Sequence, residues 1–335
     1  MSDGALGPPA PSGRVCIVGG AGFIGSHLVR RLLATPQVES VVVFDNFSSG
    51  TISRLAESAG DDRLRIVRGD VRELAALCSA VDGAGLVVHL ASNPDIAKAI
   101  TDPTVDFDQG TYLTHHVLES MRRTGAERIL YASGSGVYGD LGETEASEDY
   151  TPLMPVSTYG ASKLAGEALI CAYSQMFGLT GCAFRFGNVV GPRQTHGVGY
   201  DFVRRLLLAP DELAILGDGR QSKSYIHVED VINAVFFGAA SNAHPFAVYN
   251  VATGDYITVR EIAALTIEIL GIDPTAVELR FSGGPRGWKG DVPVVRLNTD
   301  KIRSLGWSNR LRTRDALRVA LESLIEDGRS GRFDQ

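Results

Sequence analysis

A chain of 335 residues suits one large domain or two modest ones, and 44% apolar with 21% charged residues is the balance of a folded globule rather than a disordered segment. A net charge of −7 argues against a nucleic-acid surface, and no apolar run is long enough to span a bilayer. The four cysteines, Cys16, Cys78, Cys171 and Cys182, have neither paired nor metal-type spacing, so they read as small core residues in a reducing, cytoplasmic compartment.

The chain opens with a Gly/Pro-rich stretch, residues 1–13, without the basic region and apolar core of a secretory signal; a flexible tail is expected. Short β-branched runs follow at RVCIV, SVVVFD, RLRIVRGD, GLVVHLAS, RILYAS and GCAFRFGN, separated by helical stretches such as GSHLVRRLLA, GTYLTHHVLESMRR and YGASKLAGEALICAYSQMF. Apolar runs without strict alternation predict strands buried on both faces, and strand–helix alternation predicts a parallel, doubly wound α/β sheet of Rossmann type. After residue 190 the rhythm changes: a Gly/Pro loop, GPRQTHG, precedes a helix, and SYIHVEDVINAVFFGAA and VYNVAT read as elements returning to the first sheet. TVREIAALTIEILG predicts an amphipathic helix, and RFSGGPRGWKGDVP a long loop of the kind that carries function. The expected division is a cofactor-binding unit over 14–188, with returning elements near 224–252, and a smaller C-terminal α/β substrate unit over 189–223 and 253–332.

GGAGFIGSHL lies between the first strand and the first helix, with Gly19, Gly22 and Gly25 three apart. A phosphate resting on a helix N-terminus needs backbone N–H groups close by and no Cβ in the way. Gly19 suits the tight turn, Gly22 the approach of a pyrophosphate and Gly25 the packing of helix on sheet. The second strand ends at Asp45, twenty residues after Gly25, where a carboxylate accepts both ribose hydroxyls of NAD and repels the extra phosphate of NADP. Further along, Tyr159 and Lys163 are four apart and share a helix face. An ammonium and a bound nicotinamide cation would both favour phenolate, turning a phenol of ordinary pKa near 10 into a general base near neutrality. His115 and His116 read as helix residues facing the core or a partner, His89 and His227 as structural histidines, and no Cys/His cluster suggests a metal.

With DNFSSG, GDVR, HLAS, YASGSGVYGD, STYGASKLAGE, FRFGNVVGPR, SYIHVEDV and GWKGDVP, the chain resembles the extended short-chain dehydrogenase/reductase family, in particular its nucleotide-sugar 4-epimerases. The resemblance implies NAD as cofactor, held by Gly19, Gly22, Phe23, Ile24, Gly25, Asp45, Asn46, Ser48, Ser49 and Gly50. It places Asp70 and Val71 beside the adenine and Leu90, Ala91 and Ser92 along the cofactor. Tyr159 and Lys163 would be the catalytic pair, and Asn188, Lys223 and Asp291 would meet a uridine diphosphate sugar. It also implies a homodimer built on the helices around GTYLTHHVLESM and YGASKLAGEALICAY.

Several positions depart from the family pattern. Gly134 stands where a Ser or Thr usually bonds the sugar's 4-hydroxyl, leaving that role to Ser133, Ser135 or a water. Lys223 replaces a customary arginine, Trp288 stands near another, where Arg286 is the substitute cation, and DFDQGT lacks the usual Asn. Ser135 and Gly136 occupy the places where related dehydratases carry Asp–Glu and decarboxylases Glu, which favours plain epimerisation at C4 through a 4-keto sugar. Arg193 is the candidate for reading the sugar's C6 end. A carboxylate there tips the expectation slightly to UDP-glucuronic acid and its galacturonic epimer over UDP-glucose and UDP-galactose. A decarboxylase, a net dehydrogenase and a non-catalytic NAD-binding regulator are the remaining alternatives.

Overall fold

The computed structural model describes residues 11–240 and 245–333. The tail expected over residues 1–13 falls, up to residue 10, outside them, and Gly13 already opens a strand. Six strands with intervening helices build the first half: β1 Gly13–Val18, α1 Phe23–Leu33, β2 Val38–Asp45, β3 Leu64–Arg68, α2 Leu74–Val81, β4 Leu86–His89, α3 Thr104–Asp106, α4 Leu113–Thr124, β5 Arg128–Gly134, α5 Thr158–Phe177 and β6 Thr180–Phe186. A π-helical turn, Phe107–Tyr112, joins α3 to α4. The remainder comprises β7 Asn188–Val190, α6 Val198–Leu208, β8 Glu212–Ile215, β9 Ser222–Lys223, β10 Tyr225–His227, α7 Val228–Ala240, β11 Phe246–Val251, β12 Ile257–Thr258, α8 Val259–Leu270, β13 Glu278–Phe281, α9 Asp300–Arg303 and α10 Thr313–Arg329.

Seven strands form one parallel sheet in the order β3-β2-β1-β4-β5-β6-β11. The apolar runs make this possible because consecutive residues go to opposite faces and both faces are covered. Val15 and Ile17 of β1 pack with Leu28, Val29 and Leu32 of α1 and with Val231, Val235 and Phe236 of α7. Cys16 and Val18 pack on the other side with Leu77, Val117, Met121 and Ile170 from α2, α4 and α5. Strand order reverses between β1 and β4, and the crevice at the carboxyl ends of those strands is where such sheets bind ligands.

Of the two segments read as returning to the sheet, one does so. β11 pairs with β6, whereas the YIH run of β10 pairs with β7 in a separate two-stranded ribbon. Ile226 and the following α7 still pack against the sheet's core, so the segment returns to the layer without joining the ladder. A third core, from α6, α8 and α10 around Phe202, Leu206, Ile262, Leu265, Leu317, Leu321 and Leu324, stands over the carboxyl ends of the strands with β8 and β13. The basic run of α10 is a solvated face, with Arg314 and Arg318 both on Glu268. Among the described residues no helix is long and apolar enough to cross a membrane.

Candidate functional site

A cleft of about 1010 Å³ opens at the β1/β4 switch point and runs to the third core. Its inner wall is the glycine turn. Gly19 sits at φ +86°, and a Cβ there would lie 2.6 Å from the Ala91 nitrogen, so any side chain would strike the backbone after β4. A Cβ on Gly25 would lie 2.6 Å from the Gly19 oxygen, which ties the first turn of α1 to the loop itself. On Gly22 a Cβ would have only the Gly19 oxygen at 3.4 Å, so this residue faces open cleft. Among the described residues no side chain caps α1, which leaves its first amides turned to whatever lies in the cleft. Asp45 closes the far side at the end of β2. It is 8% exposed, and its carboxylate accepts from the Ala21 amide at 2.9 Å and the Phe47 amide at 2.8 Å. Two oxygens that each use one lone pair retain capacity for ribose hydroxyls. The cradle therefore fits a dinucleotide.

Phe23, Ile24, Asn46, Ser48, Ser49, Asp70, Val71, Leu90, Ala91 and Ser92 line the same cleft. Arg72 and Asn46 hold the Asp70 carboxylate, keeping it well below the usual carboxylate range. Gly50 does not line the cleft. It packs under the glycine turn, where a Cβ would meet Ala21 at 2.8 Å.

Tyr159 and Lys163 project from the first turns of α5, whose start is capped by the Ser157 hydroxyl accepting from the Gly160 amide at 3.1 Å. Lys163 is 3% exposed; its ammonium donates to the Ala132 carbonyl at 2.8 Å and lies 5.5 Å from the Tyr159 ring centre. Burial pushes the Tyr159 phenol up to about 12, Asp106 adds to the rise, and a hydrogen bond with Ser92 opposes it. Burial brings Lys163 down to about 8, against the pull of Asp106 and Glu167. In the protein alone, then, desolvation outweighs the lowering of the phenol expected from the neighbouring ammonium.

The two serines separate. Both line the cleft, but the Ser133 hydroxyl donates to Glu167 Oε1 at 2.5 Å, while Ser135, in the turn after β5, makes no such bond among the described residues. A Cβ on Gly134 would meet nothing within 4 Å, so the space a larger residue would take is open.

Asn188, Lys223 and Asp291 come together at the outer end of the cleft. Lys223 Nζ donates to Asp291 Oδ1 at 2.7 Å, and Asp291 also accepts from the Gly287 amide at 3.0 Å. Arg193 and Arg286 are engaged away from the sugar end expected of them. Arg193, at φ +66°, turns out of the cleft, where it donates to the Arg54 carbonyl at 3.0 Å and pairs with Glu57. A carboxylate and a carbonyl on the neighbouring segment satisfy its fork better than open cleft does. Arg286 pairs with Asp140 at 2.7 Å, and its neighbours Gly287 and Trp288 take the cleft wall instead.

Several cleft residues escaped the sequence reading. Arg54 and His196 line it beside Arg193's loop, and Tyr225 stands next to Asn188 with its phenol raised by burial. Glu167 is buried under the Tyr159–Lys163 pair; its position four residues beyond Lys163 on the same helix was the one available signal. His89 bonds the Thr114 hydroxyl at 3.1 Å through Nε2, while its Nδ1 has no partner among the described residues, and burial holds its pKa at about 3, so it is neutral. His227 has its Nδ1 facing the Glu229 amide and its Nε2 without a partner among the described residues. His116 meets the Val71 carbonyl at 3.0 Å.

A seven-stranded Rossmann sheet, a glycine cradle at its switch point and a tyrosine–lysine pair in the same cleft define a dinucleotide-dependent α/β enzyme. The sequence model of the NAD dependent epimerase/dehydratase family matches residues 15–252. The chain belongs to that family, and its cofactor is NAD. It is 31% identical over 316 residues to a UDP-glucose 4-epimerase of Mycolicibacterium smegmatis, covering 92% of this chain and 97% of the relative. Among solved structures it resembles the dTDP-glucose 4,6-dehydratase DesIV of Streptomyces venezuelae with NAD bound, as a double mutant, at a TM-score of 0.86 and 29% identity over 95% of this chain and 98% of that one. It likewise resembles MoeE5 in complex with UDP-glucuronic acid and NAD, at a TM-score of 0.82 and 30% identity over 94% and 99%.

Proposed function

We propose that the chain is a UDP-hexose 4-epimerase. The observation that carries this is a Tyr159–Lys163 pair in the cleft beside a strand end, Ser135–Gly136, that brings no carboxylate for dehydration or decarboxylation. Bound NAD supplies the acceptor and donor of a hydride at the sugar's C4 and a positive ring that favours a phenolate nearby. Tyr159 takes the C4 hydroxyl proton as hydride leaves C4, and returns it to the C4 oxygen when hydride comes back to the other face of the turned sugar. Lys163, fixed by the Ala132 carbonyl, keeps a positive charge beside the phenol. Ser135, or a water in the open space at Gly134, holds the C4 oxygen. Lys223, Asp291 and Asn188 grip the diphosphate and ribose, so the 4-keto sugar turns over about a fixed anchor. In this reading residues 14–188 and the returning 224–252 bind cofactor, and 189–223 with 253–332 bind nucleotide sugar. The exposed Phe107, Tyr112, Met176 and Phe177 support a homodimer through α4 and α5.

For the sugar, the UDP-glucose/UDP-galactose pair now leads, because Arg193, which argued for a carboxylate, is engaged with Glu57. UDP-glucuronic acid stays as the second reading, since the Arg54 guanidinium lines the cleft beside the same loop. Offering each UDP-sugar separately, without added NAD, and analysing products by NMR and mass spectrometry tests the reading: a C4 epimer with no loss of water or carbon dioxide is expected. Tyr159→Phe should retain cofactor yet lose about a hundredfold to ten-thousandfold in rate. Turnover near wild type would remove Tyr159 from the chemistry.

A further inference from the structure

Asp106 is 1% exposed, and among the described residues its carboxylate faces no cationic side chain within ion-pair distance. It accepts instead from Asn93 Nδ2 at 2.9 Å and from the Thr158 hydroxyl at 2.7 Å. Thr158 immediately precedes Tyr159, and Asn93 lines the cleft. The π-helical turn that follows is pressed onto the same stretch of α5, since a Cβ on Gly110 would lie 2.6 Å from the Ser162 hydroxyl, next to Lys163. A buried carboxyl needs its hydrogen-bond partners close at hand, and π-turns inside helices occur frequently at functional sites.

We propose that Asp106 is a positioning residue whose buried carboxylate sets the shared proton balance of Tyr159 and Lys163. The inference rests on the catalytic reading of that pair. Its charge acts on both partners in one direction, holding the proton on the phenol and on the amine. Glu167 on α5, paired with Arg185 of β6, pulls the same way on Lys163 but not on Tyr159, so only Asp106 acts on both partners. His89 of β4 is neutral, and Tyr131 of β5 offers Lys163 a ring face, 5.2 Å from its centre to Nζ. Asp106 thus keeps Lys163 charged in a desolvated cleft and delays release of the Tyr159 proton until cofactor and substrate are in place.

The test replaces the charge and keeps the bonds. In Asp106→Asn, the amide accepts from Asn93 and donates to Thr158. Lys163 is one of five lysines, so NMR of lysine-labelled, cofactor-free protein follows its titration directly. Asp106→Asn should lower the Lys163 midpoint by about one pH unit and move both limbs of the kcat/KM profile to lower pH. Asp106→Ser provides a second neutral replacement with the same expectation. Thr158→Val, which removes a bond but no charge, should leave the Lys163 midpoint in place. A uniform loss of activity with an unmoved titration overturns the proposal and makes Asp106 a structural anchor. If the midpoint moves but no UDP-sugar is turned over, the functional reading fails and the role of Asp106 stands.

Discussion

Arg185→Met isolates the ion pair beneath the cleft. Arg185 and Glu167 are 4% and 5% exposed, and the guanidinium grips the carboxylate in a fork, Nε to Oε1 at 3.0 Å and Nη2 to Oε2 at 2.7 Å, while Nη1 donates to the Tyr138 hydroxyl at 2.9 Å. Methionine fills much of the volume but leaves Glu167 with the Ser133 hydroxyl alone. Stranding one member of a buried pair costs about 3–5 kcal/mol, against the ~5–15 kcal/mol total that folded proteins ordinarily possess. Urea unfolding of cofactor-stripped protein should register that loss. Glu167→Leu with Arg185→Met removes the orphaned charge as well. It should recover most of the stability, short of about 1–2 kcal/mol for the hydroxyls left with fewer partners. Tyr138 keeps Asn250 at 2.8 Å and the Ser147 carbonyl at 3.0 Å. A double variant no more stable than Arg185→Met would refute the reasoning, because the loss would then lie in packing rather than in uncompensated charge.

Asp45→Asn should narrow the preference for NAD over NADP by about tenfold to a hundredfold, the worth of a hydrogen bond to a charged group, read by calorimetry with each cofactor; an unchanged ratio would exclude Asp45 from discrimination. Arg193→Ala should reduce kcat/KM by the same factor for UDP-glucose and UDP-glucuronic acid, because what it loses is the tie of its loop to Glu57 and the Arg54 carbonyl. A loss confined to UDP-glucuronic acid would return Arg193 to the sugar.

What the chain determines by itself is what depends on near neighbours in sequence. Gly19 takes a backbone angle that favours glycine, Gly25 has no room for a Cβ against the Gly19 carbonyl, Gly22 leaves the cleft open, and Asp45 ends its strand because the apolar run ends there. Tyr159 and Lys163 share a face because a helix repeats every 3.6 residues. Such features carry their geometry with them, and with the double-sided burial of the strand runs they specify a parallel sheet and one end of a cleft. Contacts between distant segments were decided only in the folded molecule. The YIH run has the composition of a sheet strand, yet the partner across from it is β7. Arg193 and Arg286 stand in loops of the right motif, but a long flexible cation goes to the nearest unmatched acceptor, here Glu57 and Asp140, residues 136 and 146 positions away. Ser133 is drawn inward by Glu167, and Asp106 reaches α5 across 52 positions of chain through Thr158. No local period encodes such meetings, because a buried polar group takes whichever partner the packing of the whole chain leaves within hydrogen-bond reach.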